Sequence, residues 1–437
     1  MDMIEVYENI NQMEFGKEMY QLIEKLYPIC RSITGNGVRE TLGIIKEIIP
    51  MEISEVPSGT QVFDWTIPNE WNIKDAYIEN SSGEKIIDFK KSNLHILNYS
   101  IPVNKNVSLE ELKKHIFTLP ENPDWIPYRT SYYEENWGFC LTHNQLEALE
   151  EDTYHVVIDS TLEKGSLTYG ETFLKGEIDD EVILSCYVCH PSMCNDNLSG
   201  VALLTILAKI LKNSTHRYSY RLLFLPETIG TITWLSKNEE NLSKIKYGLV
   251  ATCLGDKGNS TYKKSQKEDA MIDKIVEKVL KESESPYEII DFYPLGSDER
   301  QFCAPGFDLP VGSLMRTPYH KYAEYHNSAD DLNCVTSNAL EDTLKKYFKT
   351  MIIIENNKIY KNLFSKGEPQ LGKRGLYSKI GARNEHPIEK IAMSWILNQS
   401  NGKKSLLDIS NRSNIDFFTI MKSAKKLLKE NVLDEQK

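Results

Sequence analysis

No stretch of this sequence holds the ~18 uninterrupted apolar residues that a helix needs to cross a bilayer. Positive charge is in deficit. Lys and Arg number 51 against 63 Asp and Glu, a formal net charge of −12. A balance that acidic argues against general binding to nucleic acid or to an anionic membrane. The opening run MDMIEVYENINQMEF has acids where a secretory signal has a basic patch and an apolar core, which points to a cytoplasmic protein. Cysteine is sparse. In such a compartment the eight cysteines are thiols or ligands rather than a disulfide framework. No G-x-S-x-G elbow occurs, so a serine hydrolase fits poorly. Internal repeats and long low-complexity tracts are also missing. What remains is 437 residues, 41% hydrophobic and 26% charged, the composition of a globular protein of two or three domains.

The pattern of apolar residues divides the chain. Residues 15–27 predict a helix with Met19, Leu22, Ile23 and Leu26 on one face, stopped by Pro28. A loop, CRSITGNG, precedes a second helix over 38–49. From 55 to 159 the texture is that of a small, mainly β domain, with short strand-like runs at 75–79, 85–89 and 94–99. Its aromatics, among them Trp65, Tyr128, Tyr132 and Tyr133, suit a core, with a stacking role for a sugar or peptide as the alternative. Strands at 181–188, 221–225, 247–253 and 309–314 then alternate with helices at 201–211, 229–237, 270–281 and 338–354. That alternation predicts an α/β domain of three layers around a mostly parallel sheet. The expected domains are 1–54 with 160–362 (α/β), 55–159 (the inserted β-rich domain) and 366–437.

The last block differs in charge, with 14 Lys+Arg against 8 Asp+Glu, or +6. Helices expected at 387–398, 405–411 and 415–430 make it winged-helix-like. Lys422, Lys425, Lys426 and Lys429 share one helix face. No aromatics or amides lie among them, so a solvated face suits them better than a DNA-reading one. Protein contacts, a homo-oligomer included, fit this block better than nucleic acid.

In α/β sheets, ligands sit beyond the carboxyl ends of the strands. The residues there are chemically rich. They include His190 and Asp196 within CHPSMCNDNLSG, Glu227, Asp256, the run GSDER at 296–300, and EYHNSADD at 324–331 with Tyr325 and His326. Two imidazoles and several carboxylates suit a divalent metal, zinc above all. Each has a blander explanation. A histidine after a strand is more often a hydrogen-bonded structural residue, and Asp196 or Ser199 would serve as a helix cap. The joint arrangement, one candidate per strand end, favours the site. Cys186 to His190 spells C-x-x-C-H, the haem-attachment string, but it lies inside an expected buried strand. Cys194 and Cys253 are more often small buried hydrophobes than ligands. Arg300 and Arg316 suit either a substrate carboxylate or an ion pair to one of the many acids. Tyr325 and Tyr322 suit either donation to an oxyanion or packing beside the metal.

The order His190, then Asp196-Asn197-Leu198-Ser199-Gly200, Glu227, and Tyr325-His326 before Asp330-Asp331 resembles the aminopeptidase-type zinc exopeptidases. The runs ICRSITG at 29–35, GSDER at 296–300 and PVGSL at 310–314 extend the resemblance to a bacterial aminopeptidase-like family with a nested β domain and a C-terminal winged helix. The resemblance implies that His190 and His326 are metal ligands, Asp196 a carboxylate that bridges in two-zinc relatives, and Glu227 the general base. It also implies a cis peptide at Asp196-Asn197. Three positions depart from the pattern: Ser192, Thr228 and Thr252 stand where acids are usual, with Asp256 a candidate replacement for the last. Those losses favour one zinc ion, two remaining open. The activity implied is hydrolysis of a peptide or small amide, most simply as an exopeptidase. Alternatives are a zinc amidohydrolase acting on a sugar or natural-product amide, and a regulatory protein that kept the fold and lost the chemistry.

Overall fold

A computed structural model describes residues 3–376 and 387–436. Two units stand out: Met1–Lys274 with Ser285–Lys346, and Ile275–Glu284 with Tyr347–Lys437.

In the larger unit, the strand Glu181–Tyr187 is buried at every residue. Ser219–Leu225 and Ile245–Ala251 flank it in parallel. Continuous apolar runs are what a strand covered on both faces requires. The full sheet has eight strands, in the order Glu52–Pro57, Ser166–Leu174, Ser219–Leu225, Glu181–Tyr187, Ile245–Ala251, Val311–Met315, Ser260–Lys263, Tyr287–Ile290. Its four central strands are parallel, whereas Glu52–Pro57, Ser166–Leu174 and Ser260–Lys263 join antiparallel. The sheet is therefore mixed with a parallel centre. The short strands Ser260–Lys263 and Tyr287–Ile290 carry too few residues for a periodic signal.

The helix Ser199–Lys212 is apolar nearly all round and is buried for all but two of its residues. The segment Cys194–Lys212 is long and apolar enough to cross a membrane by composition, but 94% of that window is buried within the protein, as in a core helix. Helix Phe15–Leu26 packs on it. Helix Asn36–Lys46 lies against the strand Ser166–Leu174. The two N-terminal helices thus join the α/β layer, the placement expected for them.

The insertion forms a four-stranded antiparallel sheet in the order Lys85–Asp88, Glu70–Glu79, Thr153–Glu163, Val103–Ser108. Residues 94–99, an expected strand, instead begin in a 3-10 turn, Asn93–His95. Leu94, Ile96 and Leu97 are buried, which explains the strand-like pattern. Their backbone has no continuous partner, since Leu97 bonds to Gly138 and Asn98 to Arg129. Arg39 ties the insertion to the α/β layer, with a bidentate pair to Glu70 at 2.7 and 2.6 Å and a third bond to Glu55 at 2.7 Å.

The smaller unit has a three-stranded antiparallel sheet, with Ile359–Asn362 between Asn401–Ser405 and Leu433–Gln436. Helices Ile388–Gln399, Leu406–Ser413 and Phe417–Lys429 complete a winged helix. Ser405 and Asp408 cap the second helix reciprocally. The first strand lies upstream of the boundary expected at 366, because the wing's sheet needs Ile359–Asn362 as its central member.

Candidate metal centre

The strand Glu181–Tyr187 ends just before His190. Arg31 from the CRSITG loop is buried and donates from Nε to the His190 carbonyl at 2.9 Å and from Nη1 to the Leu26 carbonyl at 2.7 Å. That clamp fixes the backbone from which the imidazole projects. Burial pushes the His190 ring down to about 4, so at neutral pH it is an uncharged donor.

The chain then turns through Cys194–Leu198 into the core helix, with a cis peptide at Asp196-Asn197. Buried Asp330 holds this turn by accepting the backbone N–H groups of Asn195 at 2.6 Å and Asp196 at 2.9 Å. The Tyr187 hydroxyl donates to Asp196 Oδ1, which leaves Oδ2 facing the histidines. Asp196 Oδ2 lies 3.0 Å from His326 Nε2 and 4.0 Å from His190 Nε2. The donor atoms of the three residues fall within 4.8 Å of one another, and no other such group of His, Cys, Asp or Glu occurs among the described residues. Asp196 Oδ2 and His326 Nε2 are both buried, and at 3.0 Å from each other they are not aligned for a hydrogen bond, nor does either have another partner. Buried polar atoms are almost always partnered, so a misaligned pair of this kind suits a shared cation between them. The donor set, two imidazoles and a carboxylate, fits zinc.

The other candidates have different surroundings. Thr252, at a usual ligand position, is 2.7 Å from the Tyr187 hydroxyl. Asp256, its candidate replacement, is saturated by Asn195, Gly258 and Thr317 and does not join the donor group. Ser192 donates to the Tyr27 carbonyl at 2.7 Å rather than to His190. His190 Nδ1 instead has Cys189 Sγ at 3.4 Å. Tyr325 stacks on His326 at 3.9 Å between ring centroids, the packing alternative. The Tyr322 hydroxyl meets Cys253 Sγ at 3.6 Å. Arg316 pairs with Asp342 at 2.7 Å and does not line the cavity described below, which is the ion-pair alternative. Ser192, Thr228, Cys253 and His326 all have positive φ without being glycine. Strained backbone of this kind gathers where a site over-determines it.

Glu227 follows the strand Ser219–Leu225, with Oε2 4.0 Å from His190 Nε2. Burial, then the charges of Asp298 and Asp196, push its carboxyl well above the ordinary range, while Ser297 and Arg300 oppose the rise. Asp298, in the GSDER run, accepts the Thr228 N–H at 2.7 Å, and burial pushes it up to about 7. The Arg300 guanidinium donates from Nη2 to Thr228 Oγ1 at 3.1 Å.

A cavity of about 470 Å³ opens onto His190, Glu227 and His326. Arg300 and Thr228 line it from the α/β domain, and Trp65, Tyr128, Arg129 and Tyr133 from the insertion. The Tyr128 ring lies 5.2 Å from both metal-site imidazoles, and its N–H donates to the His326 carbonyl at 2.8 Å. The sequence pattern favours a core for these aromatics, with stacking on a sugar or peptide as the alternative, and nothing in it singles out Arg129. Tyr187 lay hidden inside a buried strand. A segment such as YRTSYY, rich in polar aromatics and lacking strand alternation, was the available signal for the cavity wall.

Fold and donor set together place the larger unit in the zinc-aminopeptidase class of α/β folds. Superposition on the zinc aminopeptidase BSAP of Bacillus subtilis gives a TM-score of 0.58 at 10% identity, covering 78% of this chain and 94% of that one. The chain belongs to the family described as Domain of unknown function (DUF4910), matched over residues 20–357, and residues 358–435 match a winged helix-turn-helix family. A Clostridium acetobutylicum protein provisionally named a polysaccharide biosynthesis protein with aminopeptidase-like domain is 57% identical over 423 residues, 97% of each chain. A crystal structure from the same organism, provisionally titled a peptidase, is 55% identical with a TM-score of 0.95, covering 99% of this chain and all of that one.

Proposed function

We propose that this protein is a metal-dependent hydrolase of amide bonds. The observation that carries this reading is the meeting of His190, Asp196 and His326, with Asp196 Oδ2 and His326 Nε2 buried, 3.0 Å apart and without an aligned hydrogen bond. His190, Asp196 and His326 would hold a zinc ion, which would supply Lewis acidity for a carbonyl and for a water. One ion is favoured, since Thr228 and Thr252 occupy usual ligand positions. Glu227 lines the cavity beside His190 and acts as general base, taking a proton from the attacking water and returning it to the leaving nitrogen. Arg300, at the same cavity, positions the charged end of the substrate.

An exopeptidase-like activity is supported by the fold. A sugar or natural-product amide as substrate is favoured by the name of the 57%-identical relative and by the aromatic cavity wall. Two measurements separate both from a non-catalytic chain. Metal analysis of the purified protein is expected to find one zinc per chain. Glu227→Gln is expected to retain that zinc and to lower amide hydrolysis about 10²–10⁴-fold. A protein that neither contains zinc nor takes it up removes the hydrolase reading, and a Glu227→Gln variant with full activity removes the base.

A further inference from the structure

An aminopeptidase must accept a free ammonium beside the scissile carbonyl, and an ammonium calls for carboxylates. Among the described residues Glu227 is the sole carboxylate lining this cavity, and the proposed reaction uses it for proton transfer. Next to it stands Thr228, whose hydroxyl accepts from Arg300. Arg300 thus sets a cation on the cavity wall close to Glu227.

The cavity's positive groups, by contrast, hold no carboxylate in an ion pair among the described residues, although the Arg300 charge offsets those of the buried Glu227 and Asp298. Arg300 pairs with no carboxylate within 4.0 Å among the described residues, and its Nε is buried without a partner. Arg129, exposed on the insertion side, has only the Tyr128 carbonyl at 3.4 Å. Arg39, Arg221 and Arg316, by contrast, each hold a carboxylate. Two unpaired guanidiniums around one space are a receptor for an anion. Trp65 and Tyr133, which meet edge to face at 5.3 Å, remain 36% and 55% exposed at the same space. Large aromatics left this exposed beside a polar centre offer a face to a ring.

We propose that the cavity selects a carboxylate-bearing N-acyl compound and rejects one with a free α-amino group. Arg300 and Arg129 take the carboxylate, and Trp65 with Tyr133 take any ring the compound carries. This rests on the amide-hydrolase reading and names its substrate class. The shared chemistry, an N-acyl group plus a carboxylate, occurs in N-acyl amino acids and in N-acylated acidic sugars.

The test is calorimetric titration of the full chain with zinc present, which reads binding and needs no turnover. N-acetyl-leucine is compared with leucine amide, and N-acetylmuramate with N-acetylglucosamine. In one pair or both, the carboxylate-bearing N-acyl member is expected to bind at least about tenfold tighter than its counterpart. The pair that shows the preference names the source. Arg129→Gln, a change at an exposed side chain, is expected to erase most of that preference with the melting temperature unchanged, and Arg300→Gln is expected to erase it as well. Trp65→Leu is expected to weaken N-acetylmuramate more than N-acetyl-leucine. Equal affinities within both pairs, tighter binding of leucine amide, or no binding by any probe overturns the proposal. A carboxylate preference without hydrolysis of any amide leaves this inference standing and fells the hydrolase reading. Hydrolysis of leucine amide without a carboxylate preference does the reverse.

Discussion

Asp196 shows how one residue is held by many. Its backbone is fixed by Asp330, one carboxylate oxygen by Tyr187, and its other oxygen faces the two imidazoles, 3.0 Å from His326 Nε2 and 4.0 Å from His190 Nε2. Tyr187→Phe removes the hydroxyl that serves both Asp196 and Thr252. Partners that orient ligands typically account for 10–100-fold in metal affinity. The variant is therefore expected to bind zinc about 10–100-fold more weakly while losing only about 1 kcal/mol of stability. Competition with a chromophoric chelator reads the first quantity, and denaturant unfolding of the metal-free protein the second. Unchanged zinc affinity would make the Tyr187 hydroxyl a packing group only. At this scale the sequence was legible where a polar residue interrupts apolar texture. His190, Glu227 and His326 stand at strand ends or in polar turns and are conspicuous. Tyr187 is not, because an amphipathic side chain inside an apolar strand looks like core until its hydroxyl has a partner. Asp256 misled for the opposite reason, since a strand-end acid can be consumed entirely by its own loop.

Between elements, the site depends on close approach. A Cβ on Gly200 would sit 2.3 Å from the Ala251 carbonyl, so helix Ser199–Lys212 can approach strand Ile245–Ala251 only without a side chain there. Gly200→Ala is expected to cost about 1–3 kcal/mol by overpacking, measured by denaturant unfolding. The seam of the insertion gives a pH dependence. The Arg39 guanidinium, hydrogen-bonded to Glu70, lowers that carboxyl from 4.5 to about 2. The folded state then binds fewer protons than the unfolded one between these values. This stabilisation is complete above pH 4.5 and is lost as pH falls through about 2. Because the pair is partly exposed, about 1–2 kcal/mol is expected. Glu70→Gln should flatten the stability curve over that window by this amount, and parallel curves for the two proteins would remove the role of the pair. The elements themselves were largely legible. The central strands and the helices Ser199–Lys212 and Ile229–Asn238 lie within a residue or two of expectation, since buried parallel strands and buried helices carry long apolar runs. Edge strands such as Tyr287–Ile290 and the wing strands are short and half-exposed and leave no such trace.

At the scale of the whole chain, the family matches divide it at 357/358, but the structural units do not. Residues Ile275–Glu284 group with Tyr347–Lys437, and the bonds explain why. Lys278, 6% exposed, donates to the Ile415 carbonyl at 3.2 Å. Glu282, 11% exposed, accepts the Phe417 N–H at 2.8 Å and pairs with Lys349 at 2.7 Å and Lys278 at 3.1 Å. Ending the chain after residue 357 would strip Ile415 and Phe417 from these buried charges. Removing one member of a buried charge cluster costs about 3–5 kcal/mol. Residues 1–357 alone are therefore expected to be poorly soluble or to melt well below the full chain. Glu282→Gln in the full chain provides the milder case, with a loss of about 3 kcal/mol expected from denaturant unfolding. A soluble 1–357 fragment with the melting temperature of the full chain would make the winged helix a detachable appendage, and a silent Glu282→Gln would locate the coupling elsewhere than in these charges.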